Sequence, residues 1–122
     1  MSELTWLSTR ELADLLARGE VSSVEAVTAH LARIEQVNPT INAIVTLDPE
    51  RALAAARAAD ERQVAARRAG EELPPLHGVP MTHKDTLATR GIRTTMGSPV
   101  LADQVPVVTV NVFEASVVEE PE

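Results

Sequence analysis

The sequence predicts an α/β chain, with helices at its start and short strands after them. Three observations carry this. Two early stretches open on a serine with a glutamate three residues on, and apolar residues follow at helical spacing. An Ala/Arg/Glu-rich run follows Asp48-Pro49, and these are strong helix formers. Short strand-like runs stand at residues 41–47, 81–84 and 107–113, bounded by turn residues.

Taken in order, residues 1–6 read as a frayed start. Ser8 and Glu11 form the first capping box, with Leu7 and Leu12 at the staple positions. Leu12, Leu15 and Leu16 make one apolar stripe, and Gly19 supplies the stop. Ser22 and Glu25 repeat the device. Val24, Val27, Leu31 and Ile34 follow at helical spacing, and Asn38-Pro39 is expected to end this helix. The two helices read as a helical hairpin over residues 1–38. The β-branched run at 41–47 predicts a strand. Asp48 then serves as N-cap with Pro49 at the first helical position, and the helix runs to about Arg68 before Gly70. Residues 71–75 are a polar, proline-rich loop. Residues 86–99 read as loop with short extended pieces. Residues 107–113 are strand-like and uncharged, and residues 114–122 form an acidic tail.

Composition narrows the function classes. The 122 residues carry a formal net charge of -7, which argues against nucleic acid, since phosphate binding needs clustered Lys and Arg. It equally disfavours an anionic membrane surface. No apolar run is long enough to span a bilayer, and no secretory signal opens the chain. A cytoplasmic location is the expectation. The absence of cysteine removes disulfides, thiolate zinc sites and a cysteine nucleophile. Apolar residues make up 44%, but aromatics only 2%, and alanine carries much of the apolar total. Alanine buries little area, so a thin core is expected.

The stretch that points to chemistry is Leu76-His77-Gly78-Val79-Pro80-Met81-Thr82-His83-Lys84-Asp85. Pro80 fixes its own φ and pushes Val79 toward extended geometry, while Gly78 permits a turn or a close approach. Residues 81–84 are then expected as a strand, with Thr82 and Lys84 on one face and Met81 and His83 on the other. Lys84 is the only lysine in the chain. Every other basic side chain is an arginine, which does not surrender its proton in a protein. A lysine does once burial disfavours its charged form. Apart from the N-terminus, Lys84 is thus the candidate basic amine for proton transfer.

Leu76-His77-Gly78-Val79-Pro80, three residues, then Lys84-Asp85 resembles the lysine motif of the amidase signature hydrolases. Thr94-Thr95-Met96-Gly97-Ser98-Pro99 resembles the family's next landmark, and the upstream helices, Asn38-Pro39 and Asn42-Ala43 also match in order. The resemblance covers roughly residues 4–106. It implies the N-terminal portion of the amidase signature fold: one incomplete domain over residues 1–122. The helical hairpin leads into a strand-helix-strand segment at 41–106, part of an incomplete mixed sheet, and 107–122 diverges from the family pattern. It also implies amide-bond hydrolysis by a Ser–cis-Ser–Lys triad, with Lys84 the catalytic member present here. The family's Gly/Ser-rich segment with the two triad serines has no counterpart in this sequence, so the chain alone is expected to be inactive. His83 stands where the family usually has an aliphatic residue.

The remaining polar residues read as structural. His77 is a turn residue, His30 a surface or partly buried residue of a helix, and Ser98 a loop hydrogen-bonding residue. A metal at His77, His83 and Asp85 would need further converging ligands, and none is expected. Asp85 could orient Lys84 or cap the next turn. A structural role is favoured, because pairing with Lys84 would oppose its use as a base. No cofactor is expected, since Gly78, Gly91 and Gly97 are too scattered for a phosphate loop. The expected partners are a small-molecule amide once the missing part is supplied, and a second chain through docking or self-association. The first reading is thus an amidase represented by its N-terminal portion. Its rival is a non-catalytic remnant or interaction module. A third reading, the amidase subunit of a tRNA-dependent amidotransferase, ranks lower because Met96-Gly97-Ser98-Pro99 is more like the general amidases.

Overall fold

The structure, a computed structural model, describes residues 3–109. Three helices dominate it: α1 (Thr9–Arg18), α2 (Ser23–Ile41) and α3 (Pro49–Ala69). Two short 3-10 turns, Glu3–Trp6 and Pro99–Leu101, complete the regular structure among the described residues. The chain divides into two compact units. One holds residues 1–43 and 48–80, the other residues 44–47 and 81–122.

The helix ends of the first unit form where local chemistry places them. Ser8 accepts from the Glu11 amide at 3.3 Å, and Glu11 accepts from the Ser8 amide at 2.8 Å. Ser22 and Glu25 make the same reciprocal pair at 3.1 and 2.9 Å. Asp48 accepts from the Arg51 amide at 3.0 Å, and Pro49 opens α3. Gly19 and Gly70 close α1 and α3 at a φ of 68°, the left-handed geometry that glycine adopts at least cost. The C-terminal end of α1 gains a tertiary cap. Arg67 of α3 donates to the Ala17 carbonyl at 2.9 Å, satisfying one of that helix's orphan acceptors.

The core is thin, as the composition leads one to expect. Leu12, Leu16 and Ala26 form its centre, with Leu4, Leu7, Val21 and Val79 packed around them. Val27, Ala56 and Ala66 are also buried, and among the described residues no buried apolar side chain is larger than leucine. Residues 3–6 are not frayed. They wind into a 3-10 turn whose Leu4 joins the core, with the Arg33 guanidinium 5.7 Å from the Trp6 ring centroid.

Two further expectations are corrected. Pro39 does not end α2, which runs on to Ile41 and closes at Asn42 in left-handed geometry, with φ 47°. A proline in a last turn removes one backbone bond, here the one to the carbonyl of Glu35, an exposed residue. The expected strands at 41–47 and 81–84 do not form, and no strand occurs among the described residues; a lone antiparallel bridge joins Thr89 and Ile92. The described residues are accordingly mostly helical, and the incomplete mixed sheet is not formed among them. A strand is stabilised by ladder partners, and the described residues offer these runs none. The strand-like run at 107–113 lies mostly, and the acidic tail wholly, outside the described residues.

Candidate active site

The motif stretch is shared by the two units, which divide between Pro80 and Met81. Its first half belongs to the helical unit. His77 lies in a turn, half-buried, with Nε2 2.8 Å from the Ala59 carbonyl. Gly78 has φ 78°, and its carbonyl accepts from Ser23 Oγ at 3.0 Å. A Cβ on Gly78 would stand 2.1 Å from that oxygen, so both the dihedral and the close approach require glycine. Asp60 of α3 reaches the start of α2 and accepts from the Ser23 amide at 2.6 Å and the Val24 amide at 3.1 Å. A carboxylate there satisfies two orphan donors and meets the positive end of the helix dipole. A cleft of about 250 Å³ lies beside these groups, lined by residues that include Leu16, Val21, Ser23, Asp60, Arg67 and His77. Lys84 is not among them.

The second half of the motif carries Lys84. Its side chain is exposed and makes no hydrogen bond or ion pair with any described residue. Its carbonyl accepts from the Leu87 amide at 2.8 Å, which closes a turn. Asp85 turns away from the lysine. Its Oδ1 accepts from the Thr95 amide at 2.9 Å, and its Oδ2 accepts from the Thr95 hydroxyl and, at 3.4 Å, from the Gly97 amide. The Asp85 carbonyl accepts from the Met96 amide at 3.0 Å. The Thr95 hydroxyl, then its amide, hold the Asp85 carboxyl below the usual carboxylate range.

The partner of Asp85 is a tight turn. Ser98 donates its amide to the Thr95 carbonyl at 2.9 Å, and both residues between them, Met96 at φ 52° and Gly97 at φ 69°, are left-handed. Such geometry is costly for methionine, so the surrounding bonds hold it there. The residues before the turn are tied down in the same way. Arg93 donates to the Ala102 carbonyl at 2.7 Å and to the Val45 carbonyl at 2.9 Å. Thr94 donates its amide to Gln104 at 3.0 Å and its hydroxyl to Ile92 at 3.1 Å. Ser98 accepts from the Val100 amide at 3.3 Å, in keeping with a loop hydrogen-bonding residue.

The sequence-predicted residues thus fall into different surroundings. Lys84 and Asp85 are adjacent but unpaired, and Asp85 takes the structural role. His83 is exposed, with Nδ1 3.2 Å from Thr89 Oγ1. His30 lies mid-helix with Nδ1 2.8 Å from the Ala26 carbonyl. No group of three or more His, Asp or Glu side chains among the described residues could hold a metal ion. No helix there is long and apolar enough to cross a membrane. Sequence reasoning missed Asp60, Ser23 and Thr95. The first two cap and buttress across 37 and 55 residues, and a short polar residue within a helix gives no local sign of that. Thr95 had a signal: it stands in the second motif.

The family model for Amidase matches residues 25–119 of the chain, a span that includes both motifs. A glutamyl-tRNA(Gln) amidotransferase subunit of Salinispora tropica is 51% identical over 106 residues, 87% of this chain and 21% of that protein. The protein of the same name from Geobacter metallireducens is 51% identical over 104 residues, 85% of this chain and 20% of the relative. That of Chloroflexus aggregans is 46% identical over 114 residues, covering 93% and 22%. The chain therefore spans about a fifth of the length of these relatives. With most of its length matched by the family model, the chain belongs to the amidase signature family.

Proposed function

We propose that the chain is the lysine-bearing N-terminal portion of an amide-bond-cleaving enzyme, of the kind found in glutamyl-tRNA(Gln) amidotransferases. The observation that carries this is the near-half identity to relatives bearing that name across the segment holding Lys84. It raises the amidotransferase reading above the general amidase favoured by the Met96-Gly97-Ser98-Pro99 stretch. In this reading Lys84, as the neutral amine, accepts a proton from a serine hydroxyl supplied by the remaining sequence. That serine takes the proton of the nucleophilic serine, whose oxygen bonds to the amide carbon. The carbon–nitrogen bond breaks, ammonia or an amine leaves with the proton returned, and water releases the acyl group. A lysine acts as a base only where burial disfavours its charge. Lys84 is exposed, so the burial comes from the part of the enzyme that completes the site. The fuller sheet belongs to the same completion, since strand-like residues 41–47 and 81–84 lack ladder partners here. No cofactor enters the scheme.

Two preparations test the proposal. The purified 122-residue chain is expected to release no ammonia from glutamine, asparagine or simple primary amides. A chimera joins residues 1–106 to the portion of the Salinispora tropica relative beyond its matched stretch, expressed with the other subunits of that amidotransferase. It is expected to regain amide hydrolysis. Turnover by the isolated chain that Lys84→Ala abolishes, or a folded chimera with none, would overturn the proposal.

A further inference from the structure

We propose that Asp85 is a positioning residue for Lys84, fixing the lysine's backbone to the left-handed turn at residues 95–98 while keeping its own charge away from the amine. The inference extends the proposed function above, and rests on it for the reaction but not for the geometry.

Four hydrogen bonds carry it. Thr95 and Gly97 supply three donors to the Asp85 carboxylate, and the Met96 amide bonds the Asp85 carbonyl. Together they pin the residue next to Lys84 from its side chain and its backbone. The anchor is itself firm. Thr94 and Thr95 are buried, at 3% and 9% exposure. Residues 93, 94 and 95 bond to three other segments, at 45, at 102–104 and at 85. Met96 stays at φ 52° against its steric preference, which marks the turn as held by its surroundings.

The same arrangement settles a conflict in the chemistry. A carboxylate beside a lysine ordinarily stabilises the ammonium form and so opposes proton acceptance. Here three donors from Thr95 and Gly97 reach the Asp85 carboxylate, and no ion pair joins it to Lys84. The amine is left to its environment, while its main chain is held. A catalytic base works within hydrogen-bond reach of its proton, and a displacement of about 1 Å costs on the order of 100-fold in rate.

Because Lys84 is the only lysine, selective labelling with carbon-13 lysine gives one set of signals that reports on it alone. The measurement is made on the 122-residue chain as it stands. In the native sequence the Lys84 α-carbon and carbonyl should give single signals displaced from random-coil values. Asp85→Ala should move them to random-coil positions or split them, and Thr95→Val should do so partially. Thr95→Ser, which keeps the hydroxyl, should restore the native positions. Circular dichroism checks that the helices of each variant remain. Lys84 signals unchanged in Asp85→Ala, with the helices intact, would overturn the inference. Loss of helix in Asp85→Ala would shift the decision to Thr95→Val and Thr95→Ser, where equal spectra overturn it and different spectra support it. In the chimera, Asp85→Ala should lower kcat about 10- to 100-fold with KM within about threefold. A KM effect with kcat retained would contradict a positioning role. A native chimera without activity would sink the proposed function, and the lysine spectra would still decide this inference.

Discussion

Gly78 shows how one residue ties the first half of the motif to the start of α2. Its left-handed φ and the 2.1 Å approach that a Cβ would make to Ser23 Oγ act in the same direction. Gly78→Ala should therefore destabilise the chain by at least about 1–2 kcal/mol from the backbone alone. The Ser23 hydroxyl would also have to shift from its bond to the Gly78 carbonyl, which adds to that figure. Urea unfolding followed by circular dichroism measures it, and a midpoint unchanged from the native chain would contradict the account. The glycine's importance was legible in the motif, as a turn or close approach. Its partner was not, because Ser23 reads only as the first residue of a helix. Asp60 was hidden for the same reason: in a run of alternating charge, an aspartate on an exposed face looks like any other until another helix arrives over it.

At the scale of elements, local chemistry was readable and partner-dependent structure was not. The Ser8–Glu11 and Ser22–Glu25 boxes, the Asp48-Pro49 start and the Gly19 and Gly70 stops all depend on groups within five residues of one another. The strands at 41–47 and 81–84 depended on neighbours that the described residues do not provide, and they are absent. Pro39 was misjudged because a helix's last turn has less to lose from a proline than its middle does. The boxes also set an acid dependence. The Ser8 hydroxyl and amide lower the Glu11 carboxyl, and the Ser22 amide and hydroxyl lower that of Glu25. A carboxyl lowered on folding adds stability above its unfolded value, near 4.3 for glutamate, and that stability is lost as pH falls through the folded value. The midpoint of thermal unfolding should therefore hold steady from pH 7 to about 5 and drop as pH falls below about 4.3. Changing Glu11 and Glu25 together to Gln should flatten part of that drop. An equally steep drop in the double variant would show that these carboxyls are not its source.

The described residues comprise a helical unit with a thin core and a second unit held largely by loop hydrogen bonds. In the second unit Val100, Val105, Val107 and Val108 are exposed, at 91%, 53%, 82% and 57%. Those apolar surfaces, the unpaired strand-like runs and the exposed Lys84 are what the proposed function expects of a segment that spans about a fifth of its relatives' length. The family was legible from two motifs at fixed spacing. The site's closure was not, because the described residues leave Lys84 exposed. In the proposed function Lys84 moves a proton and does more than place a charge. Lys84→Arg in the chimera separates the two, since arginine keeps the positive charge and cannot act as a base. General base catalysis contributes about 10²- to 10⁴-fold, so kcat for amide hydrolysis should fall at least about 100-fold. The chimera's thermal midpoint and KM should remain close to native. An arginine variant retaining more than a tenth of native kcat would contradict the account.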